Sequence, residues 1–152
     1  MIRVLFVCLG NICRSPMAEG LFIKMIKDQG LEDRIHVESR ATSTYEIGQP
    51  PHPRTQEILV REHATLVGKR AKQITKSDFD EFDVIIGMDH ENVFDLKQMS
   101  TRHYDKIYLF RDINPNTKGQ DVPDPYYSGR YEETFKLISE SLPLWLERLK
   151  KS

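Results

Sequence analysis

Cys8, Cys13, Arg14 and Ser15 fall together in "VCLGNICRSP" (7–16), and these are the only two cysteines of the chain. A thiol beside a fixed cation points to chemistry at sulfur, because the thiolate is the nucleophile and positive surroundings favour it. Arg14 adds a planar fork that matches two oxygens of a phosphate. Gly10 and Asn11 tolerate left-handed backbone angles, so the loop of Leu9, Gly10, Asn11, Ile12 and Cys13 can turn its N–H groups inward as a nest for an anion. Ser15-Pro16 reads as the cap and first residue of a helix whose positive end lies at the same spot. The expected chemistry is in-line attack of a Cys8 thiolate of lowered pKa on a bound phosphoryl group. Ser15 would donate to the sulfur, and the N–H cradle and Arg14 would hold the equatorial oxygens. A buried structural cysteine at a strand end is the blander account of Cys8, and the combination of turn, arginine and helix start favours catalysis over it. The nucleotide loops G-x-x-x-x-G-K-[ST] and G-x-G-x-x-G are absent.

Expelling an alkoxide or phenolate requires a proton donor, which the loop lacks. In "VPDPYY" (122–127) Asp124 lies between two prolines that restrict the backbone on both sides, so its carboxyl is a candidate general acid, then base toward water. A surface turn is the alternative, since Asp-Pro is common there. Tyr126 and Tyr127 follow, suited to wall an aromatic substrate, although one of them could serve the core.

These residues need strands and helices to bring them together. Apolar runs at 2–7, 35–39, 83–88 and 106–110 read as four short strands. Helical spacing runs from Met17 to Lys27, over "RTQEILVREH" from Pro53, over "ENVFDLKQM", and from Tyr131 to the end, where Pro143 should kink or interrupt the helix. Residues 42–53 and 111–129 read as loops. The charged run "KSDFDEFD" (76–83) reads as a solvated helix face, and Trp145 with its leucines as a core stripe. Alternating strands and helices predict an α/β fold, a single-domain (1–152) doubly wound sheet of four parallel strands flanked by helices on both faces. Ligands of such sheets sit beyond the carboxyl ends of the strands, where Cys8 stands.

Composition restricts the function classes. With 39% hydrophobic and 30% charged residues in 152, the chain suits one soluble globular domain. A formal charge of −1 argues against nucleic acid or an anionic membrane as partner. No apolar run has membrane-spanning length, and the start carries no signal-peptide pattern. Two cysteines make no disulfide scaffold, so the expected location is the reducing cytoplasm. His36, His52, His63, His90 and His103 lack ligand spacing, so no metal and no cofactor are expected.

The chain resembles the low-molecular-weight protein tyrosine phosphatases through "VCLGNICRSPMAE" (7–19), "ATSTYEIGQPP" (41–51), "AKQIT" (71–75), "FDVIIGMD" (82–89) and "DVPDPYY" (121–127), in family order over almost its full length. The resemblance implies a cofactor-free, two-step phospho-cysteine mechanism on phosphotyrosine-containing proteins or peptides, with inorganic phosphate as product. By position it makes Cys8 the nucleophile, Arg14 the phosphate clamp and Asp124 the general acid. Ser15 assists the thiolate, Asn11 braces the loop with Ser39, and Tyr45 with Glu46 shapes the cleft rim beside Tyr126 and Tyr127. Asp89 matches a supporting carboxylate whose histidine partner is missing here, leaving Lys69 or Arg70 as substitutes. It implies a disulfide between Cys8 and Cys13 under oxidation, and a monomer with weak self-association open. Relatives acting on phosphoarginine carry threonine after the loop asparagine, where this chain has Ile12. Two non-enzymes remain as rivals, a phosphotyrosine-binding module and a redox sensor using the two cysteines. Activity highest at mildly acid pH is expected of the enzyme.

Overall fold

Residues 4–7 are fully buried, so the first strand, β1 (Ile2–Cys8), has helices on both sides. The computed structural model describes all residues, Met1–Ser152. After β1 come α1 (Arg14–Asp28), β2 (Ile35–Ala41), α2 (Pro53–Arg61), α3 (Lys76–Glu81), β3 (Val84–Gly87), α4 (His90–Met99), β4 (Ile107–Leu109), α5 (Pro125–Ser128) and α6 (Tyr131–Lys150). The sheet has four strands in the order β2-β1-β3-β4, every pair parallel. Between β1 and β3 the strand order reverses direction, which opens a crevice at the carboxyl end of β1.

One face of the sheet buries Val4, Phe6, Ile86 and Met88 against Met17, Phe22 and Ile26 of α1 and Ile138, Leu142 and Trp145 of α6. Phe6 makes edge-to-face contacts with Phe22 and Phe110, at centroid distances of 5.6 and 5.9 Å. The other face buries Leu5, Val7 and Ile85 against Phe79 and Phe82 at the α3 end and Leu96 of α4. The expected doubly wound architecture is therefore the observed one.

Several local expectations need correction. The helix at the loop starts one residue earlier than Ser15, with Cys13 as its cap residue and Pro16 in its first turn. A proline fits anywhere in that turn because the first N–H groups have no intrahelical acceptor. Freed from capping, Ser15 turns its hydroxyl to the loop. Pro143 does not interrupt α6. Buried Leu142 before it and Trp145, Leu146 and Leu149 after it hold both halves on the core, and the Trp145 Nε1 donates to the Phe110 carbonyl at 2.9 Å. Residues 111–129 are not a uniform loop, since they contain two 3-10 turns and α5. The charged run at 76–83 is not simply solvated: Asp78 is buried, closes a capping box with Thr75 and meets Arg40 Nε at 3.3 Å, while Phe79 and Phe82 are core.

Candidate active site

Cys8 ends β1 and is 2% exposed; α1 begins six residues later. The connecting loop is held by its carbonyls. Those of Cys8 and Leu9 accept the N–H groups of Thr42 and Ser43, that of Ile12 accepts His52 N–H, and that of Cys13 accepts the Thr55 hydroxyl. The N–H groups of residues 9–13 donate to no protein acceptor, as a nest for an anion requires. Of the two residues expected to take left-handed angles only Asn11 does, at φ 58°. Gly10 matters through space: a Cβ there would sit 3.3 Å from Glu46 Cγ.

Asn11 is wholly buried and uses its whole amide. Its Oδ1 accepts Lys72 N–H at 3.1 Å, and its Nδ2 donates to the hydroxyls of Ser15 and Ser39, both at 2.8 Å. The backbone N–H of Lys72 can only donate, so the amide orientation is fixed. Ser15 Oγ, receiving from Asn11, is left to donate to Cys8 Sγ 3.0 Å away. Ser39 Oγ in turn donates to Glu19 Oε1 at 2.5 Å, and Lys69 Nζ meets the same carboxylate oxygen at 3.0 Å. Donor direction thus runs outward from Asn11 to a sulfur on one side and a carboxylate on the other.

Arg14 is 2% exposed. Its Nη1 donates to Asp89 Oδ2 at 2.6 Å and to the Val122 carbonyl at 2.9 Å, and its Nη2 lies 3.5 Å from Asp124 Oδ2. Its Nε is buried without a partner. Burial opposes the charge, yet Cys8, Asp89 and Asp124 outweigh it and raise the guanidinium pKa above its ordinary value. Asp89 also caps α4 by accepting Asn92 N–H at 2.7 Å. The expectation that Lys69 or Arg70 partners Asp89 fails for a geometric reason: Lys69 is held by Glu19 and the Ser39 carbonyl, and Arg14 is the ion-pair partner of Asp89.

Asp124 is the cap residue of α5. Its Oδ1 accepts Tyr126 N–H at 3.0 Å, which leaves Oδ2 toward Arg14. Tyr126 and Tyr127 stand edge-to-face at 5.4 Å and are 53% and 79% exposed, so neither belongs to the core. One cleft of about 430 Å³, its open mouth included, is lined by Cys8, Leu9, Gly10, Ile12, Cys13 and Arg14 below, and by Tyr45, Glu46, Asp124, Tyr126 and Tyr127 above. Asn11, Ser15, Ser39 and Asp89 lie behind its floor, so the site residues expected from the sequence, Lys69 and Arg70 apart, are brought to this one place.

Other contributors carried no sequence signal of their own. Tyr131 Oη lies 3.4 Å from Cys13 Sγ, and burial pushes that thiol up to about 12 despite the tyrosine contact. His52 caps α2 through Nδ1 and stacks on Tyr131 at 4.9 Å. Glu19 and the Val122 carbonyl act through residues far off in the chain, which no local pattern announces.

A family model described as low molecular weight phosphotyrosine protein phosphatase matches residues 3–152. The chain is 44% identical to the low molecular weight protein-tyrosine-phosphatase YfkJ of Bacillus subtilis, covering 99% of this chain and 97% of the relative. The crystal structure of YfkJ superposes with a TM-score of 0.96, covering 99% and 96%. SP-PTP, a low molecular weight protein tyrosine phosphatase from Streptococcus pyogenes, is similar at 46% identity and a TM-score of 0.87, covering 98% and 93%. The drosophila arginine phosphatase DARP shares the fold at 28% identity and a TM-score of 0.87, covering 98% of each chain.

Proposed function

The chain belongs to the low molecular weight phosphotyrosine protein phosphatases, and from that premise we propose that Cys8, Arg14 and Asp124 hydrolyse protein phosphotyrosine in two steps within one domain, 1–152. In the first, the Cys8 thiolate forms a bond to phosphorus as the bond to the tyrosine oxygen breaks. The electron pair leaves on that oxygen, and Asp124 supplies its proton. In the second, water attacks phosphorus and gives a proton to Asp124. The phosphorus–sulfur bond breaks with its pair returning to Cys8, and inorganic phosphate departs.

The observation that carries this reading is the meeting of Cys8, Arg14 and Asp124 in one cleft. The partnerless Arg14 Nε and the unengaged N–H groups of residues 9–13 suit the equatorial oxygens of a phosphoryl group in transfer. Asp89 and Val122 fix the other side of the guanidinium, so it is oriented before substrate arrives. Ile12 on the floor and Tyr45, Tyr126 and Tyr127 at the rim supply apolar and aromatic surface for a phenyl ring. That surface favours phosphotyrosine over the charged guanidino group of phosphoarginine. Rapid quench with a radiolabelled phosphotyrosine peptide should trap label on Cys8, and Cys8→Ser should abolish both label and turnover. Faster turnover of a matched phosphoarginine peptide overturns the substrate assignment, and absence of any labelled intermediate overturns the mechanism.

No helix is long and apolar enough to cross a membrane, and two free, buried cysteines suit a reducing cytoplasm. The enzyme acts as a monomer. Under peroxide, oxidation of Cys8 to the sulfenic acid lets Cys13 condense with it, forming a disulfide and releasing water, which protects the nucleophile until a thiol reduces it.

A further inference from the structure

We infer that Asp121 is a positioning residue for the general acid, fastening the segment 121–124 to the start of α4; this rests on the reading of Asp124 above. Asp121 Oδ1 accepts the backbone N–H of His90 at 2.9 Å and pairs with His90 Nδ1 at 2.6 Å. On the other side, the Asp121 carbonyl accepts from Arg111 Nη1 at 3.3 Å. Arg111 is only 8% exposed and forms no ion pair within 4.0 Å, so this carbonyl is its side chain's one hydrogen-bond partner. One residue later Val122 is wholly buried; its N–H donates to the Met88 carbonyl at 2.9 Å and its own carbonyl receives Arg14 Nη1. Two residues beyond stands Asp124, between prolines that allow the backbone little adjustment. The position of the acid is therefore inherited from how 121 and 122 are anchored.

The Val122 carbonyl bonds the phosphate clamp directly, whereas the side chain and carbonyl of Asp121 make no contact with Arg14. His90 and Asp121 are 64% and 44% exposed at their side chains, so their pair adds little to folding stability. What it fixes is distance. Proton transfer demands hydrogen-bond reach of the leaving oxygen, and small misplacements there are costly in rate.

The test uses the full chain carrying Asp121→Ala, His90→Ala or both, with Asp124→Ala as reference. kcat/KM is measured over aryl phosphates from p-nitrophenyl phosphate to phenyl phosphate, whose leaving group is about as basic as tyrosine, near 10. A displaced acid harms basic leaving groups selectively. Asp121→Ala should lose on the order of tenfold on phenyl phosphate, against about twofold or less on p-nitrophenyl phosphate, and His90→Ala, which keeps its backbone N–H on Asp121, should lose an intermediate factor. The double variant should lose no more than Asp121→Ala alone, and inhibition by inorganic phosphate should be unchanged. Asp121→Asn keeps an acceptor for the His90 N–H, drops the charge, and should give an intermediate slope, which serves should a truncation fold poorly. If Asp124→Ala itself shows no dependence on the leaving group, the assignment of the acid falls. If Asp124→Ala shows it while the Asp121 and His90 variants keep the wild-type slope, or lose equally on both substrates, the role of Asp121 is overturned.

Discussion

Asn11→Asp replaces one NH2 by one oxygen in a site with no solvent exposure, and it tests the donor direction through the floor of the cleft. The Lys72 N–H contact survives, since the oxygen that accepts it is retained. The other oxygen now faces two hydroxyls to which Asn11 formerly donated. A carboxylate can only accept, so both hydroxyls must turn toward it. Ser39 leaves Glu19, and Ser15 leaves the Cys8 sulfur. A hydrogen bond to a charged group contributes about 1.5–3 kcal/mol. At about 1.4 kcal/mol per factor of ten, losing the one at sulfur slows the first step by roughly 10- to 150-fold. The assay is kcat/KM on p-nitrophenyl phosphate, whose leaving group asks little of Asp124, with urea unfolding to show that the variant is folded. Ser15→Ala removes the same bond and should lose a similar factor, and the double variant should lose little more. A folded Asn11→Asp enzyme within about twofold of wild type refutes a hydrogen bond donated from Ser15 to Cys8 across the 3.0 Å contact.

Peroxide inactivation should reverse fully with dithiothreitol, and Cys13→Ser should lose that recovery; equal recovery of the variant removes the protective role from Cys13. Because burial pushes the Cys13 thiol up to about 12, iodoacetamide near neutral pH should label Cys8 and spare Cys13 in the folded enzyme, as peptide mapping can show. Burial opposes ionisation of Glu38, but its bonds to His36 and Arg40 prevail and lower its pKa to about 2. A depressed carboxyl stabilises the fold above its unfolded value near 4.3, and that contribution is lost as pH falls toward about 2. Urea midpoints of wild type and Glu38→Gln should therefore differ above pH 5 and converge in strong acid. A Cβ at Gly20 would lie 2.7 Å from Leu59 Cδ2 and 2.9 Å from the Ala64 carbonyl; Gly20→Ala should cost about 1–3 kcal/mol in urea unfolding.

The sheet and the floor of the cleft were legible because their determinants are local. A β-branched apolar run, the left-handed Asn11 and a proline-flanked Asp124 each carry their meaning within a few residues. Four parallel strands then leave few topologies, and all bring the strand ends to one edge. The supports of the site were less legible because they are pairings across the chain. Lys69 meets Glu19 rather than Asp89, Tyr131 reaches Cys13 over 118 positions, and the acid segment is gripped by His90 and Arg111. Pro143 and Asp78 misled for one reason: local rules set a preference, and core packing or an ion pair overrode it.

Asp124 begins the same short helix that displays Tyr126 and Tyr127, with its Oδ1 tied to the Tyr126 amide. On the mechanism proposed above, proton delivery and substrate grip are therefore mechanically one piece, and neither can be retuned without carrying the other along. A chain that changed its aromatic rim to suit another phosphoester would shift its proton source in the same stroke, so new specificities should be reached by exchanging this short cassette whole.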